Sequence, residues 1–234
     1  MGELFGVDAA GMAYTASTWL LPVLIAITFH EAAHGYAAWR LGDDTAFSRG
    51  RVTFNPLRHI DPIGTVVLPI LLFLSPAPFI FGWAKPVPVA FHRLRSPRRD
   101  MILVAAAGPG INFALALAAA LLVNLAVWLP APLSDWTIQN LSHAVLINLL
   151  LAIFNMMPLP PLDGGRVAVG LLPRQLAIPL ARLERYGLFI VVGAIFLLPM
   201  LGEQIGVDLN VFDWLILGPL GWMLPFFWTL SGLG

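Results

Sequence analysis

Cysteine is absent from the chain. That excludes a disulfide framework and any thiolate metal site, so a bound metal would depend on histidine, aspartate or glutamate. Charge is scarce as well. Only 11% of the 234 residues are charged while 59% are hydrophobic, whereas a soluble domain carries about 25% charged residues. Composition alone therefore predicts a membrane protein in contact with the lipid bilayer. The formal net charge of +0 gives no electrostatic reason to expect nucleic acid as a partner. No lysine or arginine occurs in the opening stretch, MGELFGVDAAGMAYTAS, so the basic n-region of a cleaved signal peptide is missing and the first hydrophobic run is expected to stay. Internal repeats and long polar linkers are lacking too, and residues 1–234 are expected to form a single integral-membrane domain.

What the chain has in quantity is apolar runs of spanning length. A transmembrane helix needs roughly 20 apolar residues, and five segments qualify, at about 18–40, 101–129, 138–160, 184–202 and 210–230. A further run, PIGTVVLPILLFLSPAPFIFGW from Pro62 to Trp83, is interrupted at Pro69 and again at Ser75 to Pro78, which breaks a helix. All 13 basic residues fall in two blocks, Arg40 to Arg99 and Arg166 to Arg185. The positive-inside rule assigns both to the cytoplasm. Arg49, Arg51 and Arg58 before the broken run then share a side with Lys85, Arg93, Arg95, Arg98 and Arg99 after it. The run is thus expected to enter the membrane and return as a re-entrant hairpin. The predicted fold is all-α and polytopic: five crossings (six if 62–83 spans), an outside N-terminus and an inside C-terminus.

The stretch FHEAAHG, residues 29–35, places His30, Glu31 and His34 inside the first apolar run. Ionisable groups at such depth cost free energy unless compensated. His30 lies ten residues before Arg40, about 15 Å along a helix, which puts it within the cytoplasmic half of the bilayer. H-E-x-x-H on a helix sets two imidazoles on one face, able to share one metal ion, with the glutamate beside them. A catalytic Zn²⁺ makes water nucleophilic near neutral pH, and the glutamate can take and pass on its proton. The simpler alternative is a pair of hydrogen-bonded histidines inside an inert bundle.

A third ligand should come from another segment at matching depth. Asp163, in NMMPLPPLDGGR (Asn155 to Arg166), is the candidate. Pro158, Pro160 and Pro161 should unwind the helix there, and Gly164 and Gly165 permit a tight turn that aims the carboxylate inward. The alternative is a helix end followed by a surface turn with Asp163 solvated. Asn112 and Asn155 also lie in apolar runs, where an amide needs partners. Asn155 suits a site role, and Asn112 either a site role or the joining of helices. Gly108, Pro109 and Gly110 are expected to let the helix bearing Asn112 approach the H-E-x-x-H helix closely. His59, His92 and His143 have no spaced partner and are expected to be interfacial or capping groups.

These residues together resemble the site-2 protease family of intramembrane zinc metalloproteases. The family marks are H-E-x-x-H in one membrane helix, G-P-x-x-N in the next and N-x-x-P-x-x-P-L-D-G in a third. Here they read HEAAH (30–34), GPGIN (108–112) and NMMPLPPLDG (155–164). RVTFNPLRHIDPIGT (51–65) and FGWAKPVPV (81–89) also look like the compact bacterial and archaeal members. The resemblance covers about residues 18 to 170 and implies cleavage of peptide bonds within or beside transmembrane segments of protein substrates. It implies one zinc per chain on His30, His34 and Asp163, general acid/base work by Glu31, and substrate contact by Asn155 and Asn112. It also implies a membrane-entering β-loop between the first two conserved helices, in agreement with the hairpin, and a compact form without a PDZ domain. Extended substrate could pair with an edge strand, for which RVTF (51–54) and KPVPV (85–89) are candidates. The alternative readings are a prenyl-protein processing peptidase, whose third ligand would be a downstream glutamate such as Glu184 or Glu203, and a non-proteolytic zinc transporter or scaffold.

Overall fold

Three long apolar helices pack side by side at the centre of the molecule. In the computed structural model, which describes residues 9–68, 70, 71 and 82–232, they are α1 (Ala9–Arg40), α2 (Pro97–Ala126) and α3 (Leu133–Asn155). Each pair among the three is in contact. Small residues make this possible: Ala105, Ala116, Ala119, Ala120 and Ala126 on α2 are all buried, and alanine lets helix backbones come close where no water exists to drive association. Large side chains such as Leu20, Leu122, Leu125 and Trp128 instead point outward and are exposed. Such a greasy exterior belongs in lipid rather than water.

Two short helices follow, α4 (Asp163–Leu171) and α5 (Arg174–Arg182). α4 packs against α2, and the Arg98 guanidinium binds the end of α4 by donating to Gly170 O (2.9 Å) and to Leu172 O. The chain then continues as α6, formed by Gly187–Val192, a π-helical stretch Gly193–Leu197, and Leu198–Ile205. Last comes α7, a π-helical turn Asp213–Leu217 that runs into Gly218–Ser231. α7 completes the apolar core, with Leu220 and Phe227 packed on Ala116, Ala120, Val145 and Leu149.

Helices form the greater part of all five predicted apolar runs, and among the described residues four helices are long and apolar enough to cross a membrane. A fifth crossing results if Arg174–Arg185 and Phe189–Ile205, which meet at 81°, count as one bent span. α3 stops at Asn155, earlier than the run 138–160 suggests, because the prolines that follow cannot continue it.

The broken run at 62–83 is described only at its ends, and residues 72–81 lie outside the described residues. A π-helical turn, Pro62–Val67, is capped by Asp61, whose carboxylate accepts from the N–H groups of Ile63 and Gly64. The two ends of the run meet: Trp83 N–H donates to Gly64 O (3.1 Å), and the Thr65 hydroxyl donates to Trp83 O (2.8 Å). Gly64 has room for no side chain here, since a Cβ would lie 2.3 Å from the Trp83 ring. Nearby, Arg95 N–H donates to Leu41 O (3.0 Å), which joins the chain after the run to the end of α1. No β-strand occurs among the described residues. The expected edge strand at 85–89 is an irregular segment without a ladder, and Pro86 and Pro88 leave one of its edges without N–H donors.

Candidate metal centre

α1 carries His30 and His34 one turn apart, so both imidazoles project from the same face. Asp163 reaches that face from the first turn of α4. The three residues are buried, with exposures of 7%, 9% and 6%. Their functional atoms converge: His30 Nε2 and His34 Nε2 lie 3.0 Å apart, and Asp163 Oδ2 lies 3.2 Å from each. Among the described residues this is the one group of three His, Asp or Glu side chains that converges so.

The far side of each ring determines what the near side offers. His30 Nδ1–H donates to Asn112 Oδ1 (2.6 Å), and His34 Nδ1–H donates to the Val104 carbonyl (2.7 Å). A carbonyl can only accept, so the protons sit on Nδ1 and both Nε2 atoms present lone pairs. Asp163 Oδ2 is buried and has no hydrogen-bond donor. Three acceptor atoms thus face one another at close range with no hydrogen among them, an arrangement that repels unless a cation sits between them. Protonating one imidazole would supply a single hydrogen for three acceptors; a metal ion serves all three. The spacing agrees as well, since a tetrahedral site with bonds of 2.0–2.1 Å has ligand–ligand edges of about 3.3 Å. The residues fit a zinc ion.

Glycine makes room for this cluster. A Cβ at Gly108 on α2 would lie 2.4 Å from His34 Nε2 and 2.6 Å from His30 Cε1. Gly110 has nothing within 4 Å, so the expected close approach of α2 rests on Gly108. Gly164 and Gly165 serve differently from the expectation of a special turn. Neither has positive φ; both lie within α4, where a Cβ would come within 2.1 Å of Met156 O and of Pro160 N respectively. Their bareness lets the unwound stretch after α3 lie against α4, which brings Asp163 to the histidines.

Glu31 faces a cavity of about 410 Å³ that also touches His30, His34, Asp163, Asn155 and Phe91. Its Oε2 accepts from Val87 N–H at 2.7 Å. That amide belongs to the irregular segment 82–90, which is tied down on both sides of the contact. The Arg51 guanidinium donates to Lys85 O (2.7 Å), Lys85 N–H donates to His59 O (2.9 Å), and Ala90 N–H donates to Asp43 Oδ2 (2.6 Å). Burial alone would raise the Asp43 carboxyl, but hydrogen bonds from Thr45 and Ala90 and the charge of Arg93 outweigh it and hold the group below the usual carboxylate range.

Asn155 lines the cavity and is half-buried, its amide donating to Leu151 O (3.0 Å). Asn112 does not line it. It is fully buried behind His30 and donates to Ala26 O (3.2 Å) and Asn148 Oδ1 (2.7 Å). His59 Nε2 bonds Thr53 O (3.0 Å), and His143 bonds Thr18 O (3.0 Å) and stacks on Trp19. Glu184 pairs with Arg166 at 3.1 Å and Glu203 is exposed, so neither joins the cluster. Asn148 and the Val87 amide were not singled out by the sequence reading. Asn148 carries the same signal as Asn112, an amide in an apolar helix, and it precedes Asn155 by seven residues, on the same helix face. Backbone groups such as Val87 N–H leave no mark in a sequence.

Residues 130–199 match peptidase family M50. The chain is 37% identical over 185 residues to "Putative zinc metalloprotease YwhC" of Bacillus subtilis (strain 168), an alignment that covers 77% of this chain and 80% of that protein. It is 30% identical over 171 residues to "Putative zinc metalloprotease Rip2" of Mycolicibacterium smegmatis, covering 72% of this chain and 62% of the relative. The Rip2 of Mycobacterium tuberculosis (strain H37Rv) is 30% identical over 191 residues, or 81% and 71% of the two chains. No solved structure matches the chain.

Proposed function

This chain belongs to peptidase family M50, the site-2 protease family, and is a zinc metalloprotease; from that premise we propose that it cleaves peptide bonds within or beside transmembrane segments of membrane proteins. The observation that carries this reading is the convergence of His30 Nε2 and His34 Nε2, on a helix long and apolar enough to cross a membrane, with Asp163 Oδ2 from α4. Membership in a family of metalloproteases removes the ground for a transporter or scaffold.

His30, His34 and Asp163 would hold the zinc, with Nδ1–H bonds to Asn112 and Val104 keeping each imidazole in the ligating tautomer. Zinc held there supplies Lewis acidity, polarising the scissile carbonyl and making water nucleophilic near neutral pH. Glu31 takes the proton of the attacking water on its carboxylate and delivers it to the leaving amide nitrogen. The Val87 amide at 2.7 Å steadies that carboxylate. Asn155, on the cavity wall, is placed to hold substrate backbone once the substrate helix has unwound. Val104, Leu151 and Phe154 give the cavity apolar walls beside these groups.

The distribution of arginine and lysine supports an active site facing the cytoplasmic side of the cell membrane. The meeting of Gly64 with Trp83 and of Leu41 with Arg95 supports a run 62–83 that returns to the end it left. Comparative membrane proteomics of the wild type against a Glu31→Gln strain tests the substrate class. The expected result is accumulation of one or more single-span membrane proteins in the mutant. Accumulation confined to proteins without a membrane segment would contradict the proposal.

A further inference from the structure

We infer that Asn148 is a positioning residue for the metal centre: it fixes which way the Asn112 amide points, and through Asn112 which nitrogen of His30 carries the proton. The inference rests on the assignment of His30, His34 and Asp163 as ligands. Asn148 lies on α3, only 1% exposed, and it does not border the cavity. An amide buried in an apolar span is costly unless its polar atoms are engaged. Its Nδ2 donates to Ala144 O on its own helix (2.8 Å), so its Oδ1 is turned toward α2 and accepts from Asn112 Nδ2 (2.7 Å). The other Asn112 N–H reaches Ala26 O on α1 at 3.2 Å. With both amide hydrogens spent, Asn112 offers only its oxygen to His30 Nδ1–H.

The direction of this relay is what matters. A flipped Asn112 would set its oxygen against two acceptors, Asn148 Oδ1 and Ala26 O, and would turn its NH₂ toward His30. The imidazole would then accept at Nδ1 and carry its proton on Nε2, leaving no lone pair on the nitrogen that faces His34 and Asp163. The Ala26 carbonyl is the longer of the two contacts that forbid the flip. Asn148 is the closer one, and it comes from a third helix.

The test uses the full chain in detergent, stripped of metal, with zinc affinity read by competition against a chromophoric chelator. Asn148→Leu should bind zinc about 10–100-fold more weakly. Asn148→Asp should bind near wild type, because a neutral carboxyl can accept from Asn112 and donate to Ala144 O. Asn112→Asp offers an oxygen to His30 in either orientation, so adding Asn148→Leu to it should change affinity by no more than about twofold. A merely structural role would lower affinity equally in both backgrounds. Wild-type affinity in Asn148→Leu, equal losses in both backgrounds, or a leucine variant that folds in neither would each overturn the inference. His34→Ala separates the two levels: if it also keeps wild-type zinc affinity, the ligand assignment itself fails; if it loses zinc while Asn148→Leu does not, only the relay fails.

Discussion

At the scale of single residues, the site depends as much on missing atoms as on present ones. Gly108 leaves the space into which the His30 and His34 rings project, and the nearest ligand nitrogen is 2.4 Å from where a Cβ would be. Gly108→Ala should therefore push α2 away or rotate an imidazole, a form of overpacking that costs about 1–3 kcal/mol. Zinc affinity by chelator competition should fall at least about tenfold, and unchanged affinity would show that the rings do not need this space. The ligand residues were legible in the sequence because H-E-x-x-H is a local pattern and a helix repeats every 3.6 residues. Asp163 was legible once its depth was matched to that pair. The sequence does not mark Asn148 out, since its importance lies in its partner on another helix rather than in its neighbours. The role of Gly164 and Gly165 is hidden from the sequence for a similar reason: what they admit is a backbone from elsewhere in the chain.

At the scale of elements, hydropathy located the helices but not their directions. Runs near 18–40, 101–129 and 210–230 correspond to α1, α2 and α7. The 81° bend between Arg174–Arg185 and Phe189–Ile205 has no counterpart in a hydropathy profile. Gly187, inside that junction, sits so close to Pro160 that a Cβ would lie 1.9 Å from Pro160 O, so the junction packs against the unwound stretch. The irregular segment 82–90 is held by distant groups, Glu31, Asp43 and Arg51. Its anchoring to the end of α1 leads to a topological expectation. Because Arg95 N–H bonds Leu41 O, cysteines placed at the exposed positions Arg49 and Arg95 should react with an impermeant reagent from the same face of sealed vesicles. The chain has no cysteine of its own to confuse the assay. Labelling from opposite faces would make 62–83 a full crossing.

At the scale of the whole molecule, α1, α2, α3 and α4 each supply one part of a single device. α1 brings two imidazoles and Glu31, α2 brings Asn112, the Val104 carbonyl and the bare Gly108, α3 brings Asn148 and Asn155, and α4 brings Asp163. The central claim is that three of these side chains hold zinc while Glu31 moves the proton, and these roles separate cleanly by substitution. The most direct measurement is zinc content by elemental analysis beside cleavage of a model transmembrane substrate in detergent. His30→Ala, His34→Ala and Asp163→Ala should each lose the metal, because three protein ligands leave none to spare in a catalytic site. Glu31→Gln should keep about one zinc per chain, while its hydrolysis drops by about 10²–10⁴-fold. Zinc and activity retained in Asp163→Ala, or normal cleavage by Glu31→Gln, would contradict the account.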